Sequence, residues 1–109
     1  MKYNILAIPP FDRQLKILAK KYPSLKGEVK ELTDSLEEDP IQGDPLANSC
    51  YKIRLAIASK GKGKQGGARV ITHLQVVGQT VYLLAIYDKS YLDTMTEREI
   101  KNLLNLIEE

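Results

Sequence analysis

The chain has 109 residues, a formal charge of +2, one cysteine and one histidine. That length fits a single domain, residues 1–109, with one modest core, and a lone Cys50 excludes an internal disulfide or a multi-cysteine metal cage. The longest apolar runs, Ile5 to Pro10 and Val81 to Tyr87, are strand-sized and too short to cross a bilayer.

Met1-Lys2-Tyr3-Asn4-Ile5 passes straight into a strand-like segment without the layout of a secretory signal. The expectation is a cytoplasmic protein with no membrane partner. The small net charge conceals a separation along the chain. From Lys52 to His73 the charged residues are Lys52, Arg54, Lys60, Lys62, Lys64 and Arg69, with no acid among them. Between Glu28 and Asp44 the charges are acidic except for Lys30. Such a separation steers a polyanion toward one face, although a solvated loop beside a strand has the same composition.

Ile5 to Pro9 reads as a first strand closed by Pro9 and Pro10. Phe11, Leu15, Leu18, Ala19 and Tyr22 then share one helical stripe, with Arg13, Lys16, Lys20 and Lys21 mostly outside it, and Pro23 ends the helix. Ser24 is placed to cap a second helix in which Leu25, Val29, Leu32 and Leu36 recur at helical spacing. Asp39-Pro40 ends that one. So short a link predicts an antiparallel helical hairpin whose apolar stripes face each other and a sheet.

After the turn-rich Gln42-Gly43-Asp44-Pro45 the period becomes two. Tyr51, Ile53, Leu55 and Ile57 point one way and Lys52, Arg54, Ala56 and Ala58 the other. Ala68 to Val77 and Val81 to Tyr87 read as two further strands joined by a tight Gly78-Gln79 turn. Val70, Thr72, Leu74 and Val76 alternate with Arg69, Ile71, His73 and Gln75, so the expected sheet is apolar toward the helices and basic on its other surface. Thr96 and Glu99 form a capping box, with Met95 stapled to Ile100, for a terminal helix striped by Ile100, Leu103, Leu104 and Ile107. The elements predict an α+β fold.

The segment Ser59-Lys60-Gly61-Lys62-Gly63-Lys64-Gln65-Gly66-Gly67 lacks the spacing of a Walker A loop and precedes a strand where that motif requires a helix. Glycines interleaved with lysines make a cationic loop that can follow a phosphate backbone without reading bases, through Lys60, Lys62 and Lys64. A solubilising hairpin tip has the same composition but leaves the basic strand residues unexplained, since strands favour other residue types. Lys52 and Arg54 emerge on one face, and Arg69 opens the adjoining strand.

Three such cations suit a ribonuclease in which the RNA 2′-hydroxyl attacks the neighbouring phosphate. That reaction needs positive charge for its transition state, a base for the 2′-hydroxyl and an acid for the departing 5′-oxygen. Neighbouring cations can lower a lysine pKa, which makes Lys52 a candidate base; the permanently charged fork of Arg69 suits phosphate oxygens. Lys89 is placed to neutralise the leaving group. Tyr87 either stacks on a base or, by its inward parity, fills the core. Asp88 orients a cation, moves a proton or is a surface turn carboxylate. His73 is a candidate acid or base, although a single strand histidine is more often structural. No repeated His/Asp/Glu spacing suggests zinc, and no clustered carboxylates suggest two-metal chemistry, so a reaction without metal or cofactor is expected. Cys50 reads as a buried apolar residue.

Phe11-Asp12-Arg13-Gln14-Leu15, Lys20-Lys21-Tyr22-Pro23-Ser24-Leu25, Asp39-Pro40 with Gly43 and Pro45-Leu46, Tyr51-Lys52-Ile53-Arg54-Leu55, Gly66-Gly67-Ala68-Arg69-Val70-Ile71 and Ile86-Tyr87-Asp88-Lys89 together resemble the RelE/ParE toxins of bacterial type II toxin–antitoxin systems, most nearly the RelE and HigB-like branch. The resemblance spans nearly the whole chain through the order and spacing of short motifs. It implies a RelE-like fold: an N-terminal helical hairpin on a mainly antiparallel four-stranded sheet, with a C-terminal helix. It also implies cleavage of mRNA in the ribosomal A site, against 16S rRNA, leaving a 2′,3′-cyclic phosphate and a 5′-hydroxyl. No metal takes part, and a cognate antitoxin inhibits the toxin.

By the same resemblance the family's paired strand cations fall on Lys52 and Arg54, its phosphate-stabilising arginine on Arg69, and a later basic residue on Lys89. The family's C-terminal tyrosine has no counterpart in kind; Tyr91 is the nearby substitute, in a stretch that otherwise carries Asp93, Thr94 and Thr96. The alternatives within the fold are a ParE-like poison of DNA gyrase and a catalytically inactive binding protein.

Overall fold

The computed structural model describes residues 2–61, 63, 65–92 and 94–107. Strand β1 (Asn4–Ala7) leads into helix α1 (Pro9–Lys21) and, after a short turn, helix α2 (Leu25–Glu38). Pro9 and Pro10, expected to close the strand, occupy the first two positions of α1 instead. An absent N–H costs nothing there, because those groups have no partner within a helix. The apolar stripes fall as the spacing requires: Phe11 and Leu18 of α1, Leu25, Val29, Leu32 and Leu36 of α2, and Tyr22 at the end of α1 are buried in one core. Ser24 stands at the head of α2 but in helical geometry, and its hydroxyl makes no capping bond to the backbone of that helix. It bonds instead to Glu28 and Ser59.

Five strands form one sheet in the order β1-β5-β4-β3-β2. Besides β1 they are β2 (Asp44–Pro45), β3 (Cys50–Leu55), β4 (Ala68–Gln75) and β5 (Thr80–Asp88). All neighbours are antiparallel except β1 and β5, which run parallel. The fifth strand, β2, has only two residues, too few to display a period of two. The β4–β5 connection is also longer than a two-residue turn: residues 76–79 span it, with Gly78 and Gln79 both at positive φ.

Ile53, Val70, Leu74, Val81, Leu83 and Ile86 carry the face toward α1 and α2. The opposite face was expected to be basic, and here the structure differs. Ile71, Leu84 and Ala85, with Cys50 and Ile8, make a second core closed by Ile100 of α3 (Glu97–Leu104) and flanked by Met95, Leu103, Leu104 and Ile107. The predicted capping box is present, with the Thr96 hydroxyl accepting from Glu99 N–H and the Glu99 carboxylate accepting from Thr96 N–H. An eight-residue helix is marginal alone, so its apolar stripe must be buried, and this sheet face buries it. Lys52, Arg54 and Arg69 share this face with the apolar residues that α3 covers.

An irregularity in β5 decides which of its side chains reach this face. Ile71 lies opposite Ala85 and Thr72 opposite Leu83, which leaves Leu84 as an extra residue on β5. Leu84 and Ala85 consequently join the same core. The alternation is inverted from there onward, as an added residue in one strand of a pair requires.

Gly67, just before β4, is a second point of close contact. A Cβ there would run into the carbonyl of Leu55 on β3. Gly67→Ala should therefore lower stability by about 1–3 kcal/mol, the usual range for overpacking, measurable as a reduced urea midpoint with unchanged slope.

Candidate nucleic-acid interface

The register of three strands assembles the predicted cations. Arg54 of β3 pairs directly with Arg69 of β4, and Arg69 with Tyr87 of β5. Lys52, two residues before Arg54, lies opposite Ile71 on the same face. Like charges directly opposite each other in a sheet repel, and Asp44 offsets the charge of Arg54.

Each cation is held differently. Arg54 is half-exposed and pairs with Asp44 across the edge at 3.1 Å. The Lys52 ammonium donates to Thr94 Oγ1 at 3.0 Å, which brings the segment before α3 over the edge of the cluster. Arg69 is only 3% exposed. Its Nη1 donates to the carbonyl of Ala68 at 3.1 Å and its Nη2 to that of Gln65 at 3.2 Å. The guanidinium is thus an immobile charge beneath the surface, not the open phosphate fork that the sequence leads one to expect. Carbonyl groups from its own strand and from the preceding loop turn it inward.

Tyr87 departs from expectation because of the extra residue in β5. Its parity pointed into the helical core; instead it lies beside Arg69, half-buried, against the Leu84 side of the sheet. Lys89 is exposed, and its backbone N–H donates to the Gly67 carbonyl at 3.1 Å.

Asp88 and Lys60 are placed differently again. Lys60 was expected among the loop lysines that track RNA. It is part-buried instead, its side chain 11% exposed, in an ion pair with the fully buried Asp88 carboxylate. Asp88 also accepts from Tyr22 Oη at 2.7 Å and from the backbone N–H and hydroxyl of Ser90 at 2.9 and 2.7 Å. Burial alone would raise the Asp88 pKa; the hydrogen bonds from Lys60, Tyr22 and Ser90 outweigh it and hold the carboxyl far below the usual carboxylate range. A carboxylate so firmly ionised is unsuited to proton transfer near neutrality, and it is not on the surface either. In the structure it is paired with the Lys60 ammonium. Lys62 and Lys64 lie outside the described residues.

The depressed Asp88 pKa fixes a sign. Its contribution to stability is complete above the unfolded carboxylate pKa, about 4, and is lost as pH falls below that value. Glu99 is lowered as well, by the Thr96 backbone and hydroxyl, and acts in the same direction. The melting temperature should be level from pH 7 to about 5 and decline below about 4. Thermal scans should show a shallower acid decline in Asp88→Asn.

The remaining candidates sit apart from the arginine row. His73 is four residues along β4 from Arg69, roughly 13 Å at the usual strand rise. It stacks on Tyr82 with ring centroids 6.4 Å apart, and its Nδ1 is 3.7 Å from Cys50 Sγ. Burial pushes the Cys50 thiol up to about 11, in keeping with an inert core residue. Tyr91 is 76% exposed and leans toward α1: Lys21 Nζ donates to its hydroxyl at 3.3 Å and sits 5.3 Å from its ring centroid. That hydrogen bond, together with the neighbouring Tyr22 side chain, raises the Lys21 pKa. With Lys20, Lys21 forms the last turn of α1, so cations approach this end of the sheet from both faces.

Thr94, Tyr22 and Ser90 carry contacts that the sequence did not single out. Their partners are 42, 66 and 2 residues away respectively, and only the Ser90 contact lies within the reach of a local motif. Among the described residues, no three His, Cys, Asp or Glu side chains come together as a metal site. No helix among them is long and apolar enough to cross a membrane.

No family model matches the chain. Solved structures do resemble it. A mutant of the E. coli toxin RelE in the free state superposes over 85% of this chain and 90% of its own, with a TM-score of 0.58 and 20% identity. The RelBE2 toxin–antitoxin complex from Mycobacterium tuberculosis matches over 81% and 99%, at 0.59 and 17%. A metal-bound toxin from Helicobacter pylori matches over 84% and 99%, at 0.50 and 23%. Hairpin, sheet and terminal helix together give this chain the fold of the RelE-like toxins.

Proposed function

We propose that the chain is a toxin of the RelE family that cleaves mRNA in the ribosomal A site and is restrained by a cognate antitoxin. The observation that carries this reading is the cross-strand row in which Arg54 abuts Arg69, with Lys52 on the same face. In attack of the 2′-hydroxyl on the adjacent phosphate, negative charge accumulates on the phosphoryl oxygens. Fixed cations stabilise that state more than the ground state, which is what accelerates a reaction. Arg54 and Lys52 meet the backbone from the exposed side, and Arg69 supplies immobile charge beneath them. Lys89 is placed to neutralise the departing 5′-oxygen. Lys52 is the candidate base. Tyr91, through its contact with Lys21, stands where it could stack on a neighbouring base instead of reaching Arg69.

The antitoxin reading is supported by likeness to a toxin solved with its antitoxin and by an apolar groove of about 670 Å³ beside the end of α3. Leu6, Ile8, Tyr82, Leu106 and Ile107 line it, with Arg13 at its wall. A partner that fills this groove and brings acidic side chains to the arginine row would inhibit by occupancy.

The test is addition of purified protein to translating ribosomes, with the new mRNA ends mapped and a supercoiling assay run alongside. Ends with 2′,3′-cyclic phosphate, absent with Arg69→Ala and suppressed by the co-expressed antitoxin, support the proposal. Intact mRNA with gyrase inhibited rejects it in favour of the ParE-like activity.

A further inference from the structure

The segment from Lys60 to Gly67 leaves and re-enters the fold at one place. At its start, the Lys60 ammonium is part-buried against Asp88 and over the Tyr22 ring, 5.7 Å from its centroid. At its close, the Gly67 carbonyl accepts from the N–H of Lys89, the next residue after Asp88. Two consecutive residues at the end of β5 therefore hold both ends of the glycine- and lysine-rich loop.

The turn before the loop (Ala58–Lys60) is fastened as well. Ala58 N–H donates to Glu28 Oε2 at 2.7 Å, and Ser59 N–H donates to Ser24 Oγ at 3.0 Å. Within the loop, the Gln65 carbonyl lies on Arg69 Nη2. The loop thus begins at a residue held by Asp88 and, near its end, meets the guanidinium of the central arginine.

Ion pairing between exposed side chains would hold such a loop weakly. Lys2–Glu38, Lys30–Asp34 and Lys101–Glu97 are of that kind, each more than half exposed. The Lys60–Asp88 pair differs because neither partner can return to water without opening the loop. Gly61 and Gly63 both stand at positive φ, a conformation glycine adopts without a Cβ penalty.

We infer that Lys60 and Asp88 are positioning residues, which hold the start of the loop and, at its far end, the Gln65 carbonyl against Arg69, so that the buried guanidinium is fixed beneath Lys52 and Arg54 before substrate arrives. The inference rests on the proposed ribonuclease for its consequence but not for its geometry. Neither side chain reaches RNA; both act through the loop. Their removal should affect turnover more than binding, because Lys52 and Arg54 still attract the phosphate backbone.

Two readouts separate the possibilities. Hydrogen exchange of the amides at positions 58–67, measured on the free full-length protein, reports the latch regardless of any activity. Cleavage on ribosomes, with turnover and half-saturation measured separately, reports its consequence. For Asp88→Asn and Lys60→Met, faster exchange confined to these positions is expected, with turnover down at least tenfold and half-saturation within threefold of the parent. Lys60→Arg, which restores the charge, should return both toward the parent. Thermal unfolding identifies any variant that fails to fold, and then the Lys60→Arg comparison decides. Unchanged exchange in Asp88→Asn would overturn the latch. Faster exchange with unchanged turnover would overturn the positioning role and leave the pair a staple of the fold. Absence of cleavage by the parent itself would strike the ribonuclease reading, while the exchange experiment would still judge the latch.

Discussion

Replacing Arg69 with methionine should lower cleavage turnover by about 10²–10³-fold, the order of loss when preorganised positive electrostatics near a developing oxyanion is removed, while the melting temperature stays level or rises. The two halves of this expectation have one cause. Arg69 is buried and stands directly opposite a second arginine, Arg54. Exchanging a buried charge for an apolar side chain of similar volume is often neutral or stabilising, and the exchange here also removes the repulsion from Arg54. Single-turnover cleavage on ribosomes beside thermal unfolding of the same samples checks both. Turnover within threefold of the parent would remove Arg69 from the chemistry. A large fall in melting temperature would mean that its contacts with Gln65 and Ala68 stabilise the fold more than the buried charge costs.

Asp88→Ala should do the opposite, costing about 3–5 kcal/mol of folding free energy, because it leaves the part-buried ammonium of Lys60 uncompensated. For a domain of this size that corresponds to a fall in melting temperature of roughly 10–25 °C. The loss exceeds that of an ordinary ion pair because four donors converge on this carboxylate, from Lys60, Tyr22 and both groups of Ser90. The pair Lys60→Met with Asp88→Leu should recover much of the loss by removing both charges at once, since an apolar pair carries no desolvation penalty. Chemical denaturation of the two single variants and the double variant gives the coupling directly; additive losses would show that the two groups do not act as a pair.

Both predictions depend on features that were unevenly visible in the residues. The helical stripes of Phe11 to Tyr22 and Leu25 to Leu36 and the capping box at Thr96 are local patterns, and the structure reproduces them. The face shared by Lys52 and Arg54 follows from alternation within one strand. That Arg54 would meet Arg69 depends on register across a twelve-residue connection, which the alternation of the flanking strands only partly restricts. Burial of Arg69 and Lys60 was not legible at all. A lysine in a glycine-rich segment looks solvated until a carboxylate from another strand is placed beneath it, and Asp88 reaches that place only because β5 carries an extra residue. The terminal helix was visible as a helix, but not the sheet face it covers, since either side could have accepted its stripe.

That extra residue, Leu84, has a consequence for how this chain tolerates change. Upstream of it β5 keeps ordinary step with β4; downstream, every side chain has exchanged sides. Excision of this one leucine would return Tyr87 to the helical-hairpin side of the sheet and cast Asp88 out among the arginines. A carboxylate would then sit beside Arg54 and Arg69, and Lys60 would lose its counterion. One apolar position with no chemistry of its own thus acts as the frame setting for the whole end of the molecule, and length at this point is guarded more strictly than composition.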